Sequence, residues 1–329
     1  MGETFRRQHK GGHHKLLLPL SYGVSSSVLL RTLDVHIERQ HSKPYPPMTY
    51  ELHVLVIETP DISSQNPNLE NSFRQVQKVF PKHSYAQVPF HNIFQYDVGI
   101  GEAMSELAGP GFVDNPALSD KERLDAFRAS ISTPTSKMDV DDVLMRRLIV
   151  AYAKKHGCGT VMWGNSDSSL AAKTLASVAK GRGRSLTWQL CDGMSPWGVG
   201  FLFPLRDFFN TELHDYASLV PDLNDFIMPE VPVSDGVLTK NLSIDELMMR
   251  YVNSQGEKYP SVMGNVARMV TKLEPAPTST ESLHCKFCGT FIGDLDGEPG
   301  NMSDVPTSSG SQSSPFCYAC TRSRPETVQ

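Results

Sequence analysis

The sequence predicts an α/β fold, a parallel sheet covered by helices, followed by a small C-terminal metal module. Three observations carry that expectation. One strand–turn–helix pattern occupies Lys15–Leu30, a second occupies Thr160–Ala179, and two Cys-x-x-Cys pairs lie near the end of the chain. Two apolar strands that each pass through a short polar turn into a helix read as successive units of one parallel sheet. In such a sheet each helix carries the chain back over the sheet to the start of the next strand. The totals agree: 329 residues, 39% hydrophobic and 20% charged, are enough to bury one large core or two domains. A net charge of −5 argues against general attraction to a polyanion and leaves room for a local basic patch. No apolar run reaches the roughly 18 residues a membrane span requires. The expectation is therefore no membrane partner and a cytoplasmic location.

In chain order, residues 1–14 carry Arg6, Arg7, Lys10 and three histidines and read as a basic flexible arm. Leu16–Leu20 is the first strand and Ser21-Tyr22-Gly23 its turn. Ser25, Ser26 and Ser27 open a helix whose first amides they are placed to cap. Such a turn at the carboxyl end of a parallel strand is where α/β proteins seat a phosphate. Gln40–Thr49 is a connection, Glu51–Thr59 a buried strand, Ser72–Val79 a short amphipathic segment and Ala86–Phe94 a weaker strand interrupted by Pro89.

Ser119–Ala129 reads as a helix and Ser130–Lys137 as a polar linker. Val140–His156 is the strongest helix, with Asp139, Asp141 and Asp142 at its start, Lys154 and Lys155 at its end and Gly157 as its stop. Thr160–Trp163 is a strand, residues 164–169 its turn, and a helix runs on through Ala179. Lys180–Arg184, KGRGR, is the densest cationic patch; Lys180, Arg182, Arg184 and Arg206 are the candidates for touching RNA phosphates. Leu186–Gly193 and Val199–Phe203 read as strands. Asp207–Leu219, Ile244–Val252 and Ser261–Leu273 read as helices, the second begun by Ser243 with Glu246 in capping-box position.

The domain plan that follows is a main domain over residues 15–274, a linker over 275–284, a metal module over 285–320 and a tail over 321–329. Cys285, Cys288, Cys317 and Cys320 form two pairs, each with the spacing that lets two thiolates reach one ion. Four thiolates complete a tetrahedral shell with no open position, so the expectation is one structural zinc ion. A redox thiol pair is the alternative.

The loop Ser21-Tyr22-Gly23-Val24-Ser25-Ser26 resembles the pyrophosphate-binding loop of the ATP-pyrophosphatase (PP-loop) superfamily, usually Ser-Gly-Gly-x-Asp-Ser. Tyrosine stands at the second position and Ser25 replaces the aspartate. The turn at residues 164–169 resembles the Gly-His-x-x-Asp-Asp element of the tRNA-thiolating branch. Gly164 is kept, Asn165 replaces the histidine, and Ser168 and Ser169 replace both acids. Between Tyr50 and His156 there is no cysteine, where catalytic relatives carry an internal pair.

Together with GNSDSSLAAK, KGRGRSL, FPLRDFFNTEL and the terminal cysteines, these features resemble the second, degenerate subunit family of the cytosolic tRNA 2-thiolation complex. The resemblance implies a PP-loop (adenine nucleotide alpha hydrolase-like) domain with Ser21, Gly23, Ser25, Ser26 and Ser27 in a degenerate phosphate loop. Gly164, Asn165, Ser168 and Ser169 would form a degenerate second motif, and no residue is expected to be catalytic. It further implies a subunit required for 2-thiolation of the wobble uridine of Lys, Glu and Gln tRNAs. ATP and Mg would sit on a catalytic thiolase partner, and sulfur would arrive on a ubiquitin-related carrier. The alternatives are an active ATP-dependent adenylating thiolase and a stand-alone zinc-stabilised RNA-binding protein.

Overall fold

The computed structural model of the chain describes residues 13–42, 49–59, 69–228, 242–256, 258–274, 282–294 and 315–325. Nearly all of the expected arm, most of the expected linker and the stretch between the two cysteine pairs fall outside these residues.

The first unit forms as its pattern dictates. β1 (His13–Pro19) leads through the turn into α1 (Val24–His41). β2 (Thr49–Glu58) and β3 (Ser84–Pro89) follow on one side, with α2 (Leu69–Val79) between them. β4 (Thr160–Met162), β5 (Gly193–Met194) and β6 (Gly200–Leu202) lie on the other side. The sheet order is β3-β2-β1-β4-β6-β5. β1 runs parallel to β4, with Leu16 beside Thr160 and Leu17 beside Val161. Within this six-stranded sheet the β5–β6 pair is antiparallel and the others are parallel. The two strand–turn–helix units are thus neighbours in one parallel sheet, as their pattern indicated.

Side chains alternate across the sheet, as the two-residue period of a strand requires. Leu16, Leu18, Val54 and Val56 face a core shared with α1, α2 and the helix at Asn210–Ser218, whereas Leu17, Leu55, Ile57 and Val161 face the other, larger core. That second core is supplied by α3 (Ile100–Ala108), α4 (Asp120–Ser130), α5 (Pro134–Lys155) and α6 (Asp167–Ala179). α7 (Asn210–Ser218) packs on α1, while α8 (Ile244–Gly256) and α9 (Pro260–Met269) pack on α6. Among the described residues no helix is long and apolar enough to cross a membrane.

Four local expectations are corrected. α5 begins at Pro134, so Ser130–Lys137 is not a linker. Thr133 caps the helix by accepting a hydrogen bond from the Ser136 amide at 3.1 Å, and proline suits the first helical position. The three aspartates therefore sit inside the helix, not at its dipole. The strand expected over Ala86–Phe94 stops at Pro89, where a helical turn over Phe90–Asn92 begins. Leu186–Gln189 is a helical turn, because Ser185 and Leu186 close 3-10 bonds that bend the chain before any strand pairing. Of the expected Leu186–Gly193 strand only its last residue is extended, in the two-residue β5.

The cysteine segments pack directly on the α/β domain. β7 (Ser282–His284) pairs with β8 (Phe291–Asp294), and α10 (Tyr318–Arg322) carries the last cysteine. Cys285, Phe287, Cys288, Phe316 and Cys320 all belong to the larger core of the sheet.

Candidate functional site

β1 and β4 are adjacent, and their connections leave in opposite directions along the sheet. The carboxyl ends of two such strands bound the crevice where open α/β sheets bind ligands. Both candidate loops lie there. They touch: a Cβ built on Gly164 would stand 2.7 Å from the Ser26 Cα, so only glycine lets the second turn approach the start of α1 this closely.

Within the first loop the hydroxyls turn inward. Ser26 and Ser27 donate to the Gly23 carbonyl at 3.1 and 2.9 Å, and the Ser21 and Ser26 hydroxyls lie 3.1 Å apart. The expected capping of helical amides by these serines is corrected: Gly23 is the N-cap and α1 has no side-chain cap. Tyr22 is the only non-glycine residue with positive φ (61°) among the described residues. It keeps the left-handed backbone a glycine would suit, while its ring is fully buried against the core under α1. Its carbonyl accepts from the Met228 amide at 2.9 Å, which ties the loop to the chain after α7. Burial, and secondarily the Glu58 charge, push the Tyr22 phenol well up, so it stays protonated.

In the second loop Ser166 caps α6, accepting from the Ser169 amide at 3.3 Å, and Asn165 donates to the Ser169 hydroxyl at 2.8 Å. Asp167, the one carboxylate in the loop, is buried. Ser168 donates its hydroxyl to it at 2.8 Å, yet burial still pushes its pKa up. A carboxyl held towards neutrality is a poor cation ligand. A separate cleft of about 260 Å³, lined by Asp34, Glu38, Lys82 and His83 among others, lies at the amino end of the strands, away from both loops.

The four cysteines meet. Their sulfurs all lie within 4.8 Å of one another, Cys288 and Cys317 at 3.5 Å, and none forms a disulfide. A tetrahedral thiolate shell with bonds of about 2.3 Å spaces its sulfurs about 3.8 Å apart, so the donor set fits one metal ion. The Cys285 amide donates to the Thr290 carbonyl at 2.8 Å, and Gly289 donates back to the Cys285 carbonyl at 2.8 Å. Gly289, at φ 72°, also lets Trp197 pack on the turn.

Two of the four cations read as RNA contacts are corrected by burial. The Lys180 and Arg182 side chains are 6% and 4% exposed. Arg182 donates from Nε to Asp139 Oδ1 at 2.7 Å and pairs through Nη2 with Oδ2, while Lys180 reaches Asp139 at 3.1 Å and Asp245 at 2.8 Å. Burial alone would raise the Asp139 pKa; the Arg182 hydrogen bonds and charge, with Lys180, outweigh it and hold the carboxyl below its usual range. Arg206 donates to the Leu190 carbonyl at 2.7 Å. Arg184 is exposed and donates to the Ile292 carbonyl in β8 at 2.6 Å.

KGRGR is therefore a clasp on the cysteine segments. Gly181, at φ 77°, leaves room for the Tyr318 ring, and Arg322 of α10 donates back to the Ala179 carbonyl at 3.3 Å. Arg147 of α5 adds bonds to the Lys286 and Phe287 carbonyls at 2.8 and 2.9 Å. Sequence reasoning missed Asp139 and Arg147, and their spacing carried no signal. Gly181 did carry one, since glycines between arginines mark close backbone approach.

A family model described as cytoplasmic tRNA 2-thiolation protein 2 matches residues 243–302. Curated proteins of that name are similar over nearly the whole chain. The one from Neosartorya fischeri is 55% identical, over 98% of this chain and 86% of its own length. The one from Emericella nidulans is 52% identical, over 96% of each. Among solved structures, the U34-tRNA thiolase NcsA from Methanococcus maripaludis, described with its 4Fe-4S cluster, shares the fold. It has a TM-score of 0.52 and 13% identity, over 86% of this chain and 77% of its own.

Proposed function

The chain belongs to the cytoplasmic tRNA 2-thiolation protein 2 family, and from that premise we propose that it serves tRNA 2-thiolation as a subunit that does not itself catalyse the transfer. The supporting observation is the chemistry of the two facing loops. Adenylation draws on a phosphate cradle, on carboxylates that hold a divalent cation and on positive charge facing the phosphates. Here the first loop offers Val24 and Ser25, its hydroxyls at Ser26 and Ser27 are engaged with Gly23, and the second loop offers Ser168 and Ser169. The only carboxyl in either loop, Asp167, is buried and shifted towards its neutral form. ATP and Mg then belong to a catalytic thiolase partner, with tRNA and a ubiquitin-related sulfur carrier as the other components. The wobble uridine of Lys, Glu and Gln tRNAs is the proposed target.

The proposed metal is one structural zinc ion on Cys285, Cys288, Cys317 and Cys320. Four thiolates leave no open position for substrate, so the ion would hold the two knuckles together. For RNA, exposed Arg184 and half-buried Arg206 remain as the phosphate-contacting candidates, whereas Lys180 and Arg182 act in the interior.

Reconstitution tests the reading. Thiolation of tRNA by the catalytic partner should depend on this chain, and the chain alone should release no pyrophosphate from ATP. Pyrophosphate release by the isolated chain, lost on Ser25→Ala, favours the active-thiolase alternative; partner activity undiminished without this chain refutes the subunit role. Arg184→Glu with Arg206→Glu should weaken tRNA binding by the assembled complex, most visibly at low salt.

A further inference from the structure

Arg182 sits where two observations meet. Its Nη2 lies 3.6 Å from the Cys320 sulfur, within reach of an N–H···S hydrogen bond, and the same guanidinium forks onto Asp139 through Nε and Nη2. Asp139 is fixed in turn by Lys180 at 3.1 Å and by the Ser323 hydroxyl, which donates to Oδ2 at 3.0 Å from just beyond α10. All of these side chains are buried, the Arg182 and Asp139 side chains at 4% and 3% exposure. A divalent ion with four thiolates carries a net charge of −2, which is costly in an apolar core unless a cation and hydrogen bonds balance it. Lys180 and Arg182 together balance Asp139 and Asp245, so what this neutral network offers the thiolates is an oriented, charge-assisted hydrogen-bond donor at Cys320.

We propose that Arg182 is the positioning residue of the metal centre: it donates to metal-bound Cys320, and Asp139 holds it in that orientation. The proposal rests on the reading of the four cysteines as a metal site and goes beyond it, by assigning an outer hydrogen-bond shell that begins with Arg182, 138 positions from Cys320 in sequence. It also explains why Arg182 of a cationic motif lies inside the protein. Arginine suits this place better than lysine, because a planar fork can meet a carboxylate and a sulfur together, whereas an ammonium is a single point of charge. Outer-shell partners of this kind tune metal affinity by about 10–100-fold.

The test uses the full chain loaded with zinc, and separately with cobalt(II) as a spectroscopic probe. Arg182→Met should lose about 10–100-fold in zinc affinity in chelator competition. It should also move the sulfur-to-cobalt charge-transfer band to lower energy, because a thiolate without its hydrogen bond is more electron-rich. Arg182→Lys should fall between this variant and the unaltered chain on both readouts, and it carries the test alone if Arg182→Met does not fold. A merely structural arginine would change the melting temperature and leave the band in place. Affinity and band position unchanged in whichever of these variants folds overturns the proposal. A chain that binds neither zinc nor cobalt overturns the underlying metal reading instead, so the two failures are distinct.

Discussion

The ring of Tyr22 and its backbone make opposite contributions to stability. A left-handed conformation costs a non-glycine residue about 1–2 kcal/mol, while deleting a fully buried aromatic ring costs about 3–5 kcal/mol. Tyr22→Gly should therefore destabilise the chain by a net of about 1–4 kcal/mol in urea unfolding, although glycine is the usual residue at this place in the loop. Its phenol oxygen is buried and has no hydrogen-bond partner among the described residues, so Tyr22→Phe should be neutral or slightly stabilising. A large loss in the phenylalanine variant argues for a partner of that oxygen.

His83 gives the residue scale its pH dependence. Its side chain is 3% exposed and its Nε2 lies 3.1 Å from Asp34 Oδ1. Burial lowers its pKa, with the opposing pull of Asp34 not enough to restore it. The unfolded chain then binds the proton more readily than the folded one. The contribution is fully present above the ordinary histidine pKa of about 6.5 and is lost as pH falls through the interval down to the lowered native value. Urea midpoints taken from pH 7.5 to 5.5 should drop, and His83→Gln should flatten that drop.

Between elements, the critical approach is that of the β4–α6 turn to the start of α1. Gly164→Ala places a methyl group 2.7 Å from backbone that has no rotamer to yield. The expected cost is about 1–3 kcal/mol, together with loosening of both candidate loops, visible as faster amide exchange at Ser26 and Ser27. Exchange at wild-type rates in a fully stable variant contradicts the close approach. At this scale the sequence was legible where a pattern is local. The alternation in Leu16–Leu20, the stripe of Leu144, Leu148 and Tyr152, the Ser243–Glu246 box and the cysteine knuckles each identify their element or site. It was illegible where a long-range partner decides. The aspartates of α5 look like dipole partners until Arg182, Arg128 and Arg146 are seen to meet them, and KGRGR looks like an RNA surface until Asp139 and Cys320 enclose its first arginine.

For the whole molecule, the cysteine centre and the sheet share one hydrophobic core. Removing the metal should therefore lower the melting of the entire α/β domain in a single transition, and not release a small module from an intact sheet. Cys288→Ser should reproduce that loss together with the loss of bound metal. A sheet that melts at an unchanged temperature after chelation contradicts the shared core. The same continuity has a consequence for synthesis on the ribosome. Leu17 of the first strand and Cys320 of the last helix belong to one core, so that core is begun by the opening strand, covered in turn by α3 to α6, and completed only by the cysteine segments. The four-cysteine site is assembled only after the second knuckle has left the exit tunnel, when the rest of that core has already been made. The six strands of the main sheet are all made before the cysteine segments that complete one of its cores, so closure of that core is a late event in synthesis.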